Sequence, residues 1–326
     1  WGDAKTKVTA SFGRFFDGGR LGVADYLSQS GFGSKLYLGE YFNEFTSNRS
    51  NDYSFSPIEN LNTVGTELTM PKADAFTVGG EREIIQDLAV GAYFNGKFTR
   101  NLYAFDELNT IWDQDGYNVI GFADGTTTPL YRLRTPAIAR RDYYRADLTM
   151  KKVYSDRWQA EGSYSYTISR GTNQNTPSGF LIVPTQVKYY VNGLLASTDI
   201  RHSVKLSAFW EIPDDPWTTT LGSTLIMESG YPLSRGYASL DAGGVNGSYL
   251  MDTYGTYART EGYIDFAMLF RQAIPVRKGE LQADMQVFNF INSRRAEGAG
   301  ISGDNRWIIG SRVEPLRVQL GARYEF

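Results

Sequence analysis

The chain has 326 residues, 14% of them aromatic, with 22 Tyr, 19 Phe and 34 Gly. A net charge of −3, from 33 Lys and Arg against 36 Asp and Glu, gives no basic footprint for nucleic acid. The absence of Cys excludes disulfides, thiolate metal sites and a Cys nucleophile. No apolar run approaches the roughly 18 residues of a transmembrane helix.

In chain order, residues 6–16 read as a first strand. Residues 17–73 form a long connection, within which Leu36, Leu38 and Phe42 share one face of a stretch read as an extracellular hairpin. Strands follow over 74–84 and 88–105, joined at Ile85-Gln86-Asp87, then a long connection over 106–140. Residues 141–152 and 157–170 pair through Val153-Tyr154-Ser155-Asp156, ahead of a long connection over 171–200. Val204, Leu206, Ala208 and Trp210 alternate up to the turn Ile212-Pro213-Asp214-Asp215-Pro216, and 218–229 return. Beyond the connection 230–261, Ile264, Phe266, Met268 and Phe270 alternate. The turn Pro275-Val276-Arg277-Lys278-Gly279 leads to Leu281, Ala283, Met285 and Val287. After 291–315, the last strand sets Leu316, Val318, Leu320, Ala322, Tyr324 and Phe326 on one face.

Ten strands, the last of strict period two over eleven residues and long enough to cross a bilayer at a tilt, predict an all-β fold, an antiparallel transmembrane β-barrel segment. Short turns follow the second, fourth, sixth and eighth strands and long loops the others, the asymmetry of outer-membrane barrels. Both chain ends then lie on the periplasmic side. The bulk polarity of the chain, 21% charged, fits a wall whose strands each turn one face to a wet lumen. Trp158, Trp210, Trp217 and Tyr154 flank short turns, where an interfacial aromatic girdle belongs.

Little points to reaction chemistry. His202 is the single His and reads as a polar residue opening a strand. Asp113, Asp115 and Asp124, and likewise Asp241, Asp252 and Glu261, lack the spacing of a calcium loop and read as solvated acids. Gly243-Gly244-Val245-Asn246-Gly247 lacks the Lys-Ser/Thr of a phosphate loop. No catalytic residue, cofactor or metal is expected. Asp265, Arg271, Asp284, Arg317, Arg323 and Glu325 alternate with apolar neighbours and are assigned to the lumen. Tyr231, Tyr237, Tyr249, Tyr254 and Tyr257 make one Gly-rich loop aromatic, a candidate for ligand or partner contact.

Several segments taken together carry a resemblance. They are Gly13-Arg14-Phe15-Phe16, Phe76-Thr77-Val78-Gly79-Gly80-Glu81-Arg82-Glu83, Asp199-Ile200-Arg201-His202, Ser229-Gly230-Tyr231-Pro232 and Val287-Phe288-Asn289-Phe290-Ile291-Asn292. Their order, with the aromatic end Tyr324 and Phe326, resembles the last part of the barrel of TonB-dependent receptors, especially the Oar-like branch. The resemblance implies a barrel of about 22 strands, an N-terminal plug and a TonB-binding box, none of which this sequence contains. Residues 1–326 are therefore read as the C-terminal portion of such a barrel, and the start at Trp1 as a point partway through a longer protein.

The implied function is uptake of a scarce solute, such as an iron chelate, oligosaccharide or peptide, across the outer membrane. The alternatives are a scaffold in an envelope-spanning assembly or a passive pore. The implied partners are outer-membrane lipid, the remaining strands and plug, TonB, and the barrel assembly machinery, which reads a terminal signature like that of Tyr324 and Phe326.

Overall fold

The computed structural model describes residues 4–16, 63–64, 69–114, 119–123, 131–172, 180–182, 193–195, 198–238, 248–250, 253, 255–302 and 307–326. The alternating stretches form ten long strands: β1 (Thr6–Phe16), β2 (Lys72–Ile85), β3 (Leu88–Arg100), β4 (Arg141–Ser155), β5 (Trp158–Gly171), β6 (His202–Asp214), β7 (Trp217–Glu228), β8 (Tyr263–Val276), β9 (Gly279–Phe288) and β10 (Arg317–Glu325). Each hydrogen-bonds antiparallel to its chain neighbours, so the sheet is a simple meander from β1 to β10. Strand pairing runs further into the turns than side-chain alternation indicates. The four turns on the periplasmic end shrink to Gln86-Asp87, Asp156-Arg157, Asp215-Pro216 and Arg277-Lys278. Asp156 and Arg157 both take positive φ, the two-residue turn whose twist matches its strands.

Register sorts the side chains into two surfaces. Trp158, Trp210, Leu221, Phe270, Met285 and Leu320 oppose one another in one continuous row across β5 to β10. Phe12, Phe76, Gly96, Tyr144 and Ile168 form another across β1 to β5. On the opposite surface, Ser11, Thr77, Asn95, Arg145 and Thr167 stand in line. On β5 the apolar surface extends from Trp158 to Ile168, about 33 Å of strand and about 25 Å of depth at a 40° tilt, the height of a lipid-facing band.

The apolar surface is exposed. Among the described residues the buried apolar side chains are Ala104, Ala139, Leu195, Leu233 and Ala296, with Pro71, Pro136 and Pro232, and none belongs to β1–β10. No second layer covers the sheet, which rules out a soluble sandwich for the described chain; oil must do what a core does elsewhere. The sheet is not closed. Among the described residues β1 pairs only with β2 and β10 only with β9, leaving two free backbone edges.

Close approach demands glycine at two places. A Cβ on Gly96 would overlap the Phe76 ring on the apolar surface, and one on Gly79 would overlap the Tyr93 ring on the polar surface. Each ring lies across its neighbour's bare backbone. Phe76 thereby joins Phe94 at 5.8 Å, while Phe98 meets Tyr144 edge-on at 5.5 Å.

One expectation needs correction. Tyr154 does not join the outward girdle of Trp158, Trp210 and Trp217. Trp158 opposes Ser155 while Ala160 opposes Lys152, so a bulge in β4 inverts the alternation there. Tyr154 falls on the polar surface, stacked on Phe209 at 5.5 Å with its hydroxyl bonded to Glu211. The long connections also carry short strands of their own. Thr63–Val64, Ala104–Glu107, Tyr131–Arg134 and Phe180–Ile182 build one small sheet, and Arg235–Ala238, Ser248–Leu250, Ala296–Ser302 and Trp307–Arg312 another. Each knits loops that are separate in sequence, partly through parallel pairs such as Phe180 with Ala104 and Arg235 with Ile301. The hairpin expected around Leu36 and Phe42 lies outside the described residues.

Candidate functional site

The polar surface of β2 to β5 carries a connected network. Arg145 Nε donates to Asp147 Oδ1 at 2.6 Å, and its Nη2 to Ser165 Oγ at 2.9 Å. Ser165 donates to the same Asp147 oxygen at 2.6 Å, and Asn95 Nδ2 to the other at 3.0 Å. Thr77 donates to Asn95 Oδ1 at 2.8 Å, which carries the network across β2 to β5. Glu81 accepts from Lys7 Nζ and from the Tyr93 hydroxyl, each at 3.2 Å. Apart from Thr77 and Glu81, quoted within a resembling motif, these residues were not singled out from sequence. The signal was present, since Arg145 and Asp147 are two apart on one strand and share its face.

The six charges assigned to the lumen all lie on this polar surface. Arg271 grips Asp284 through Nε at 2.8 Å and Nη2 at 3.0 Å, a bidentate pair between β8 and β9. Arg323 pairs with Glu325 at 2.7 Å along β10. Arg317 turns to Glu314 at 3.2 Å and covers the Phe288 ring at 4.6 Å. Asp265 differs: its Oδ1 is buried without a hydrogen-bond partner. Half-exposed pairs of this kind contribute on the order of 0–1 kcal/mol each; their consequence is a wall of fixed charge positions.

At the extracellular rim, two of the resembling motifs meet. Asp199 is fully buried and accepts from the Ser169 amide at 2.8 Å and from Arg201 Nη2 at 3.0 Å. Arg259, 60 residues further along, binds the same carboxylate and donates Nη1 to the carbonyls of Asp199 at 2.9 Å and Gly230 at 2.8 Å. Burial disfavours the Arg201 charge, yet Tyr166 and Asp199 outweigh it and hold its pKa above the ordinary value. Ser229 and His202 bond each other twice, through the Ser229 amide at 2.8 Å and Ser229 Oγ at 3.0 Å. A Cβ on Gly230 would overlap the Thr260 carbonyl, so only glycine fits this crossing. Sequence reasoning missed Arg259, because nothing local marks a partner so distant.

A second knot explains the motif after β9. Asn289, buried and at positive φ, donates to the carbonyls of Ser293 at 3.0 Å and Glu314 at 2.7 Å, tying the ends of one loop together. His202 opens β6 on the apolar surface, Nδ1 2.9 Å from the Tyr164 hydroxyl. Of the tyrosines, Tyr231 is half-buried with its backbone bonded to Thr260, and Tyr257 is exposed under the Arg235 guanidinium at 4.8 Å. Tyr237 and Tyr249 oppose one another in the second loop sheet. Tyr254 lies outside the described residues, as do Asp115, Asp124, Asp241 and Asp252. Among the described residues no group of three His, Cys, Asp or Glu could hold a metal ion.

No family model and no curated protein matches the sequence. Solved structures do. The outer-membrane transporter YddB from Escherichia coli aligns over 98% of this chain with a TM-score of 0.60 at 10% identity. The pyoverdine receptor FpvA from Pseudomonas aeruginosa bound to pyoverdine aligns over 99% with a TM-score of 0.55, again at 10% identity. The chain spans 38% of the length of the first and 34% of the second. At this identity the likeness establishes fold, and the fold is that of the wall of an outer-membrane β-barrel, crossed many times by antiparallel strands.

Proposed function

We propose that the chain is the C-terminal, ten-stranded part of the wall of a TonB-dependent outer-membrane receptor of the Oar-like branch. The observation that carries this reading is the pair of edges on β1 and β10 that stay unpaired among the described residues, at the two ends of a sheet that is otherwise fully two-sided. An edge of backbone donors and acceptors is unsustainable at the level of hydrocarbon, so further strands must meet both. The span of about a third of YddB and FpvA, a transporter and a receptor, agrees with that need.

In this role the wall stays fixed while a plug, supplied by a region beyond this chain, rearranges under force from TonB. The polar surface faces the plug and the solute path. The rim loops, with Tyr231 and Tyr257 among them, contribute to capture of a scarce solute. The terminal Tyr324 and Phe326 are presented to the barrel assembly machinery. A scaffold role in an envelope-spanning assembly draws support from the two loop sheets, which offer shaped surfaces above the membrane. The free edges count against a ten-stranded passive pore.

Intact mass of the protein extracted from its native membrane tests the reading. A species several hundred residues larger than 326, whose solute uptake is lost without TonB, is expected. A mature terminus at Trp1 together with steady conductance across a planar bilayer would overturn it.

A further inference from the structure

Above the aromatic cluster, the outward surface changes character within one step of the strand period. Phe12, Phe76, Tyr144 and Ile168 give way to the row Arg14, Asp74, Phe98, Asp142 and Arg170, read across β1 to β5. Lys72 and Arg100 stand one row higher. All share the face that meets lipid. An outward Arg costs about 2–4 kcal/mol at mid-depth and little near the interface, so this row marks where the hydrocarbon ends on the extracellular side.

The charges are not balanced. Arg14 is neutralised by Asp74 at 2.5 and 2.9 Å, and Arg100 by Asp142 at 2.6 Å. Lys72 and Arg170 remain; neither makes an ion pair among the described residues, although the Lys72 charge also acts on Asp74 at longer range. Among the described residues of these two rows, four cations against two carboxylates leave a surplus of two positive charges. Lys72 on β2 and Arg170 on β5 lie three strand spacings of about 4.8 Å and one row apart, on the order of 15 Å. A single phosphodiester headgroup cannot bridge that distance.

We propose that this collar on β1–β5 binds a glycolipid of the outer leaflet through two separated phosphates, one at Lys72 and one at Arg170, with its acyl chains lying down the aromatic cluster. The two ion pairs between them hold the intervening backbone while leaving the unpaired cations to the ligand. The site rests on the orientation of the wall and not on any transport role, so it stands or falls independently of the proposed function.

The test uses the full protein in detergent, incubated separately with bisphosphoryl lipid A, monophosphoryl lipid A and phosphatidylglycerol, and read by native mass spectrometry. Bisphosphoryl lipid A should give the highest occupancy, and millimolar inorganic phosphate should not displace it. Lys72→Gln or Arg170→Gln should each weaken binding about fivefold and the double variant about 25-fold, the loss expected for one and two cations at an anionic lipid surface. Lys205→Gln, on the polar surface, should change nothing. Equal occupancy by phosphatidylglycerol, retention in the double variant, or equal loss in Lys205→Gln would each overturn the proposal. If a variant fails to fold, the wild-type preference for two phosphates over one still decides it.

Discussion

Arg259 reaches Asp199 from a different loop, bonding both its buried carboxylate and its main-chain carbonyl, the latter at 2.9 Å. The contact joins the connection before β6 to the one before β8 at the level where the wall meets its loops. Asp199→Ala leaves two guanidinium groups and the Ser169 amide without their acceptor. Removing one partner from a buried ionic cluster costs about 3–5 kcal/mol. Thermal unfolding in detergent should show that loss, with Asp199→Asn intermediate, because an amide oxygen still accepts from Ser169.

Leu148 and Thr149 are adjacent on β4 but face opposite ways. Leu148 opposes Ala92 and Tyr164 in the apolar field, and Thr149 opposes Gly91 and Ser163 on the polar side. Leu148→Arg should destabilise the inserted barrel by about 2–4 kcal/mol, and Thr149→Arg by well under 1 kcal/mol. Reversible urea unfolding in lipid vesicles measures both.

The Phe76 ring covers bare backbone at Gly96. Gly96→Ala displaces the ring from its partners and should cost about 1–3 kcal/mol, the range for overpacking a filled site. Combined with Phe76→Ala the added methyl has nothing to strike, so the two losses should be clearly less than additive. Gly121→Ala, with open space around its Cβ, serves as the neutral control.

Much of this architecture was readable in the chain. Period two survives wherever one face meets oil and the other water, which is why the ten strands follow from alternation read together with the turns between them. Tyr154 escaped because a single extra residue in β4 reverses the faces, and alternation carries no trace of it in side-chain type. The loop sheets escaped because their parallel pairs join distant connections, where no local period exists. Asp199 and Arg201 were noticed as part of a familiar run, yet their partner Arg259 depends on how two loops return to the rim. Arg145 and Asp147 were legible in principle, being two apart on one face.

Phe326 is 99% exposed and meets only the Tyr324 ring, at 6.1 Å, among the described residues. Its removal therefore leaves the packing of the described strands unchanged. Deleting it should leave spontaneous refolding into detergent unchanged but slow insertion by the barrel assembly machinery in proteoliposomes. Equal slowing of both reactions would mean that Phe326 acts through stability.

The most direct test of the two-faced wall exploits the absence of Cys from the chain. Single cysteines placed in turn at Arg145, Ala146, Asp147, Leu148, Thr149 and Met150 would carry an environment-sensitive fluorophore, read in bilayers with a lipid-borne or an aqueous quencher. The account predicts strict alternation, with 146, 148 and 150 quenched from the lipid and 145, 147 and 149 from water. Uniform quenching by the aqueous agent along the strand would contradict it.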